Sequence, residues 1–283
     1  MTPWRNRTPD WPLLAALAGA IALVLRTLFA YPLLSLALVV ASLALAGASL
    51  WSCRVLLGAR TAWIFLGLGA AMGWFAEETG ARLGWFFGDH YTYTEVLGPR
   101  LLTVPLVIPL MWFGLCYIGW LMACLTLWRA PVPPARDWRH GALAAFVAAM
   151  IVTAFDLGAD PYFVYVLKAW IMHKTDGGWF GETLLGFAGW MMVSFAIVAA
   201  FQAVARPQLL AGADDARARR AALVPVFVYF GFIAFQVTQT QPAALRVVAL
   251  FAMGIPAFLA LVAWSQWARP AAVPAASRLG ADA

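Results

Sequence analysis

From Pro12 to Trp267 the chain is a succession of apolar runs, and charge is confined mostly to the breaks between them. A helix that crosses the hydrocarbon of a bilayer needs roughly 20 predominantly apolar residues. Eight runs are candidates: Pro12–Phe29, Pro32–Trp51, Ala62–Gly80, Leu101–Trp128, Gly141–Asp156, Thr183–Ala205, Ala222–Gln239 and Ala243–Trp267. The first two meet at "AYP", where Pro32 is placed to open the next helix. Only 11% of the residues are charged, against about 25% in soluble domains, which is too few to cover a soluble surface. The expected fold is therefore all-α: a polytopic transmembrane helix bundle of about eight spans. Residues 1–268 read as a single transmembrane domain and 269–283 as a disordered tail. The N-terminal run lacks a clear small-residue cleavage site, so it is expected to remain as a helix.

The formal charge of +6 does not point to nucleic acid, because the basic residues form no stripe interleaved with aromatics. They lie in the loops, and unequally. With the N-terminus in the cytoplasm, thirteen arginines fall on that side and five Lys/Arg on the other (Arg82, Arg100, Lys168, Lys174 and Arg246). This positive-inside bias predicts both termini in the cytoplasm of a cell (plasma) membrane protein. It also puts two polar segments, Gly84–Arg100 and Asp156–Glu182, after the third and fifth spans on one non-cytoplasmic face. Cys53, Cys116 and Cys124 sit in or beside apolar runs with no CxxC, so neither a disulfide framework nor a zinc site is indicated.

The chemistry-bearing residues concentrate around those two segments. Glu77 and Glu78 end the third run, and Glu78 can pair with Arg82 four residues on. Adjacent helical side chains diverge by about 100°, so the two carboxylates cannot share an environment. Asp156 and Asp160 are also four apart. They share a face if helix persists through "DLGADP"; two such acids repel, which favours one of them holding a proton. Pro161 instead suggests a break at Asp160, with Asp160 as an N-cap and Tyr162–Met172 as an interfacial or re-entrant segment. In "GWFFGDHYTYTEVLG", Tyr91 and Tyr93 alternate with Thr92 and Thr94, as in a short hairpin or extended loop. An interfacial aromatic belt is the plainer reading of those tyrosines. Asp89 beside His90 is either an acid–base pair or a solvated turn. Of 15 Trp, Trp74, Trp85, Trp112, Trp170, Trp179 and Trp190 flank the two polar segments. With three histidines the chain cannot supply the ligands of a membrane di-iron oxygenase, and it has no Gly-rich phosphate loop, GxSxG or HExxH.

The stretch "EETGARLGWFFGDHYTYTEVLGPRLLTVPLVIPLMW", followed by "FDLGADPY" and "AWIMHKTDGGWFGETLLGFAGW", resembles the CruF-type carotenoid hydratases over about Trp74–Phe195. The matching positions include Glu77, Gly80, Phe87, Gly88, Tyr91, Tyr93, Thr94, Pro105, Trp112, Asp156, Asp160, Pro161, Trp170, Gly181 and Trp190. Two departures stand out: Asp89 and His90 occupy a place where the pattern has one residue, and "ETLLGFAGW" lacks the pattern's Pro and Asn.

The resemblance implies addition of water across the terminal 1,2 double bond of an acyclic carotenoid end. That reaction needs an acid that still holds its proton, a positioned water and a wall that tolerates a tertiary carbocation. Aromatic faces supply such a wall, and no metal or organic cofactor is needed. The expected catalytic residues are Asp156 as acid, Asp160 tuning it and Glu77 as the water-side base, or the same set with the roles of Glu77 and Asp156 exchanged. Tyr91, Tyr93, Trp170, Trp112, Trp190, Glu78 and Asp89 are expected to bind substrate. The expected partners are the lipophilic carotenoid, the bilayer and other enzymes of that pathway. A proton-coupled small-molecule transporter is the alternative, since paired intramembrane acids also serve proton coupling.

Overall fold

The computed structural model describes residues 33–210 and 216–267, together with Ala18. The expected first span, Pro12–Phe29, and the tail 269–283 lie outside the described residues. Seven long helices occur among the described residues: α1 (Leu33–Leu57), α2 (Ala59–Leu83), α3 (Val107–Trp128), α4 (Trp138–Pro161), α5 (Leu184–Ala205), α6 (Ala216–Gln239) and α7 (Ala244–Trp267). All except α2 are long and apolar enough to cross a membrane, which makes this an integral membrane protein. The count of eight spans is not reached among the described residues, where six helices qualify. α2 has the length, at 25 residues, but carries Arg60, Glu77, Glu78 and Arg82.

α3 is the axis of the bundle. It is apolar all round, and its middle from Trp112 to Leu125 is buried without interruption. A helix with no polar face has to be enclosed on every side. α1, α2, α4, α5, α6 and α7 all pack on it.

The helix ends differ from the sequence expectation in instructive ways. The fourth run does not become helical at Leu101. Arg100–Leu101 (β2) turns back on Val104–Pro105 (β3) as a two-residue antiparallel pair, and helix begins only at Val107. The fifth run does not stop at Asp156, and no break separates it from Asp160: α4 continues to Pro161 and then widens into a π-helical turn, Tyr162–Val166. Asp160 is therefore a helical residue one turn beyond Asp156, and its N-cap role is ruled out. Proline lacks the N–H that would bond the carbonyl four residues back, here Leu157. The Trp179 indole, from the second polar segment, supplies the missing donor at 2.9 Å from the Leu157 oxygen. α6 covers two further carbonyls of α4, through Tyr229 to Ile151 (2.7 Å) and Gln236 to Phe155 (2.8 Å).

The alternation around Tyr91 does make a strand, though not a local hairpin. β1 (Tyr91–Tyr93) pairs antiparallel with β4 (Trp170–Met172), in the register Tyr91↔Met172 and Tyr93↔Trp170. The pairing extends at both ends, from Thr94 N–H to the Ala169 carbonyl (2.9 Å) and from His173 N–H to the His90 carbonyl (3.1 Å). The two polar segments are thus joined into one structure at one end of the bundle. Replacing Trp179 by Phe removes the donor that covers the Leu157 carbonyl. Leaving such a group unpaired costs about 1–3 kcal/mol, so thermal unfolding in detergent should shift down by several degrees. An unchanged midpoint would mean that the indole does not hold the Pro161 bend.

Candidate active site between the two polar segments

Period two in β1 sends Tyr91 and Tyr93 to the same, buried face and Thr92 outward. Beneath that face lies Glu77 of α2, buried and 6% exposed. Both tyrosine hydroxyls donate to Glu77 Oε2, each at 2.6 Å. Trp112 Nε1, from α3, donates to Oε1 at 2.8 Å. A carboxylate offers about four acceptor positions, so three are filled by protein and one, on Oε1, stays open. Burial, reinforced by the Glu77 charge, pushes both tyrosine hydroxyls well above their ordinary pKa. They remain protonated donors.

Two glycines make this geometry accessible. Gly73 and Gly80 flank Glu77 at i−4 and i+3, on the same helix face. A Cβ at Gly73 would stand 2.5 Å from the Trp112 ring, and one at Gly80 2.8 Å from the Tyr91 hydroxyl. Side chains there would push the two donors off the carboxylate.

Glu77, Tyr91, Tyr93 and Trp112 form one wall of a cavity. The opposite wall comes from α4 and the π turn: Phe155, Asp156, Ala159, Asp160 and Phe163. Asp156 is 2% exposed, and its Oδ2 has no hydrogen-bond partner. Aromatic rings close the space. Trp112 stacks on Trp190 at 4.4 Å between centroids, Phe163 on Trp170 at 5.4 Å, and Tyr93 meets Trp170 edge-on at 5.8 Å. Among the described residues, the charged side chains lining the cavity are Glu77, Asp156 and Asp160, and no Lys, Arg or His does so.

Of the residues singled out in the sequence, Glu77, Asp156, Asp160, Tyr91, Tyr93, Trp112, Trp170 and Trp190 surround this one cavity. Glu78 and Asp89 do not reach it. Glu78 points the other way, as neighbouring helix positions must. Its Oε2 accepts from the Thr103 N–H (3.1 Å) and hydroxyl (2.5 Å), and its Oε1 is ion-paired with Arg82, so it pins the β2–β3 turn to α2. Asp89 accepts from its neighbour His90, from the backbone N–H at 2.7 Å and the ring Nδ1 at 3.1 Å. Those bonds hold its carboxyl below the ordinary value, as suits a surface turn. His90 stacks on His173 at 6.1 Å across the strand pair.

Sequence reasoning missed Glu182 as a site residue. It is 2% exposed, its Oε1 has no partner, and it lies within hydrogen-bond reach of Asp160. The available signal was its place in "GWFGET", directly before the Thr183 N-cap of α5, but nothing in that spacing shows a fold back toward α4.

A family model described as "carotenoid biosynthesis protein" matches residues 30–263, and the chain belongs to that family. No curated protein and no solved structure matches it. Membership in a biosynthetic family does not favour the transporter alternative.

The three donors on Glu77 carry a stability expectation. Tyr93→Phe removes a hydrogen bond to a charged group, worth about 1.5–3 kcal/mol, and should lower the unfolding midpoint measurably. Thr92→Val, on the exposed face of the same strand, should leave it within a degree or so. Equal effects for both would remove the carboxylate as the anchor of β1.

Proposed function

We propose that this member of the carotenoid biosynthesis proteins is a hydratase that adds water across the terminal 1,2 double bond of an acyclic carotenoid end. The observation that carries this reading is the charge and texture of the cavity: aromatic walls, carboxylates and, among the described residues, no cationic side chain. Burying carboxylates costs several kcal/mol each unless they are compensated. A cavity built this way is complementary to a positive charge that arrives or forms inside it. Protonating a trisubstituted alkene forms such a charge on the tertiary carbon, in a space otherwise suited to an isoprenoid chain.

In this reading Asp156 is the acid. Asp156 lines the cavity and its Oδ2 has no hydrogen-bond partner, so no protein group competes there for the proton it delivers. The π electrons of the double bond take that proton at C2 and leave the cation at C1. Trp112, Trp190, Tyr93 and Trp170 face the cation, where each ring contributes about 0.5–2 kcal/mol. Glu77 is the water-side carboxylate. Its one open position, on Oε1, orients a water whose oxygen forms the C1–O bond while its proton passes to the carboxylate. Asp160, one turn from Asp156, tunes the acid. Glu78 and Asp89 keep the frame of the site and bind no substrate. The two polar segments face the non-cytoplasmic side of the plasma membrane, with both termini in the cytoplasm, in keeping with the thirteen-to-five distribution of Lys and Arg.

Expression in a host that accumulates lycopene should yield pigments heavier by one water with almost unchanged visible colour, because the terminal double bond lies outside the chromophore. Asp156→Asn should abolish the product while leaving the protein in the membrane. No hydrated pigment from any acyclic carotenoid tested, or full hydration by Asp156→Asn, would overturn the assignment. A lipophilic tertiary amine carrying an isoprenoid chain mimics the cation and should compete with substrate, whereas the matching alcohol should compete at least about tenfold more weakly.

A further inference from the structure

The proposed reaction leaves Asp156 without its proton after each turnover, and the site must restore it. Glu77 stands on the opposite wall with three of its acceptor positions filled. The acids on the side of Asp156 are different. Asp160 follows Asp156 by one helical turn and lies within hydrogen-bond reach of Glu182, whose backbone is pinned by mutual bonds with Trp179. Two carboxyl groups in hydrogen-bond contact need a proton between them, because two carboxylates offer only acceptors. Glu182 does not line the cavity. It belongs to the second polar segment, with its backbone against Gly177, the residue that follows the exposed run 173–176. The groups facing this pair are Asp156 on α4, Glu77 on α2, Tyr91 and Tyr93 on β1, Trp170 on β4, and Tyr165 on the π turn with Lys168 over its ring. The Tyr165 hydroxyl is buried beside Glu182.

We propose that Asp160 and Glu182 share one proton and form the relay through which Asp156 is re-protonated from the polar-segment side, with Glu182 as a positioning residue that acts through Asp160. The proton balance closes. Asp156 gives one proton to C2, and the captured water gives one to Glu77. The Asp160–Glu182 pair passes one to Asp156 and is refilled from solvent at Glu182, while Glu77 releases its proton with the exchanging water. Burial raises the Glu182 carboxyl above its ordinary pKa, against the lowering effect of the Asp160 and Tyr165 side chains beside it.

This inference rests on the hydratase reading, and the two fail separately. In Glu182→Gln, the first turnover should run at the wild-type rate, because Asp156 is already loaded. Steady-state turnover should fall at least about tenfold, with KM nearly unchanged, and Glu182→Asp should recover part of it. A merely structural role would slow the first and later turnovers together, and that result, or no slowing at all, overturns the relay. Should Glu182→Gln fail to fold, infrared spectra of the wild type and Asp160→Asn decide the matter. A protonated-carboxyl band at neutral pH that shifts in heavy water and disappears in Asp160→Asn supports the shared proton, and its absence overturns it. If the wild type hydrates nothing, the hydratase reading fails and the relay with it, while the infrared result still reports on the shared proton.

Discussion

The structure turns on one buried carboxylate. Glu77 is held by two tyrosine hydroxyls from β1 and an indole from α3, and much of the surrounding architecture exists to bring those donors within reach. β1 stays in place because it pairs with β4, nearly eighty residues further along the chain. Trp112 can approach because Gly73 offers no side chain, and Tyr91 because Gly80 offers none. Removing a charge from water without a counter-ion costs several kcal/mol, and hydrogen bonds to a charged acceptor return about 1.5–3 kcal/mol each. Three such bonds make the buried anion tolerable without neutralising it. The cavity therefore has a carboxyl group held by three donors on one wall and, among the described residues, no Lys, Arg or His on any.

The opposite wall depends on a helix that continues where its sequence suggests a stop. Because α4 runs on through Asp160, Asp156 and Asp160 lie on one face and look across the cavity toward Glu77. The Pro161 bend and the π turn then carry Phe163 under Trp170. Trp179, which covers the Leu157 carbonyl, and Glu182, which meets Asp160, belong to the same short loop. One segment thus supports both the bend and the acid beside it, and the candidate site extends from the bundle into the second polar segment.

Much of this could be read from the residues, and the limits have physical causes. Apolar runs reveal helices because lipid demands them, so six membrane-capable helices stand where runs were expected. Their ends were less legible: Leu101–Pro105, in the β2–β3 turn, continues the apolar character of the helix it precedes. The alternation of Tyr91 and Tyr93 announced a strand, but a three-residue strand does not show its partner, and the local hairpin gave way to a distant pairing with Trp170–Met172. That Glu77 and Glu78 part company follows from helix geometry, though which of them turns inward depends on Gly73 and Gly80 meeting Trp112 and Tyr91. The Asp160 break was a sound inference from Pro161 alone, and it failed because a tertiary donor, Trp179, replaced the missing N–H. Glu182 was hidden for a similar reason, since its partner lies 22 residues back along a path that only the folded loop defines.

In the proposed reaction this cavity protonates a terminal double bond and captures the resulting cation with water. Purified protein in detergent, given an acyclic carotenoid in water enriched in oxygen-18 and deuterium, tests it directly. The expected product is a tertiary alcohol that carries the heavy oxygen, with one non-exchangeable deuterium on the adjacent carbon. A product whose oxygen comes from molecular oxygen, or substrate recovered without label, would contradict it.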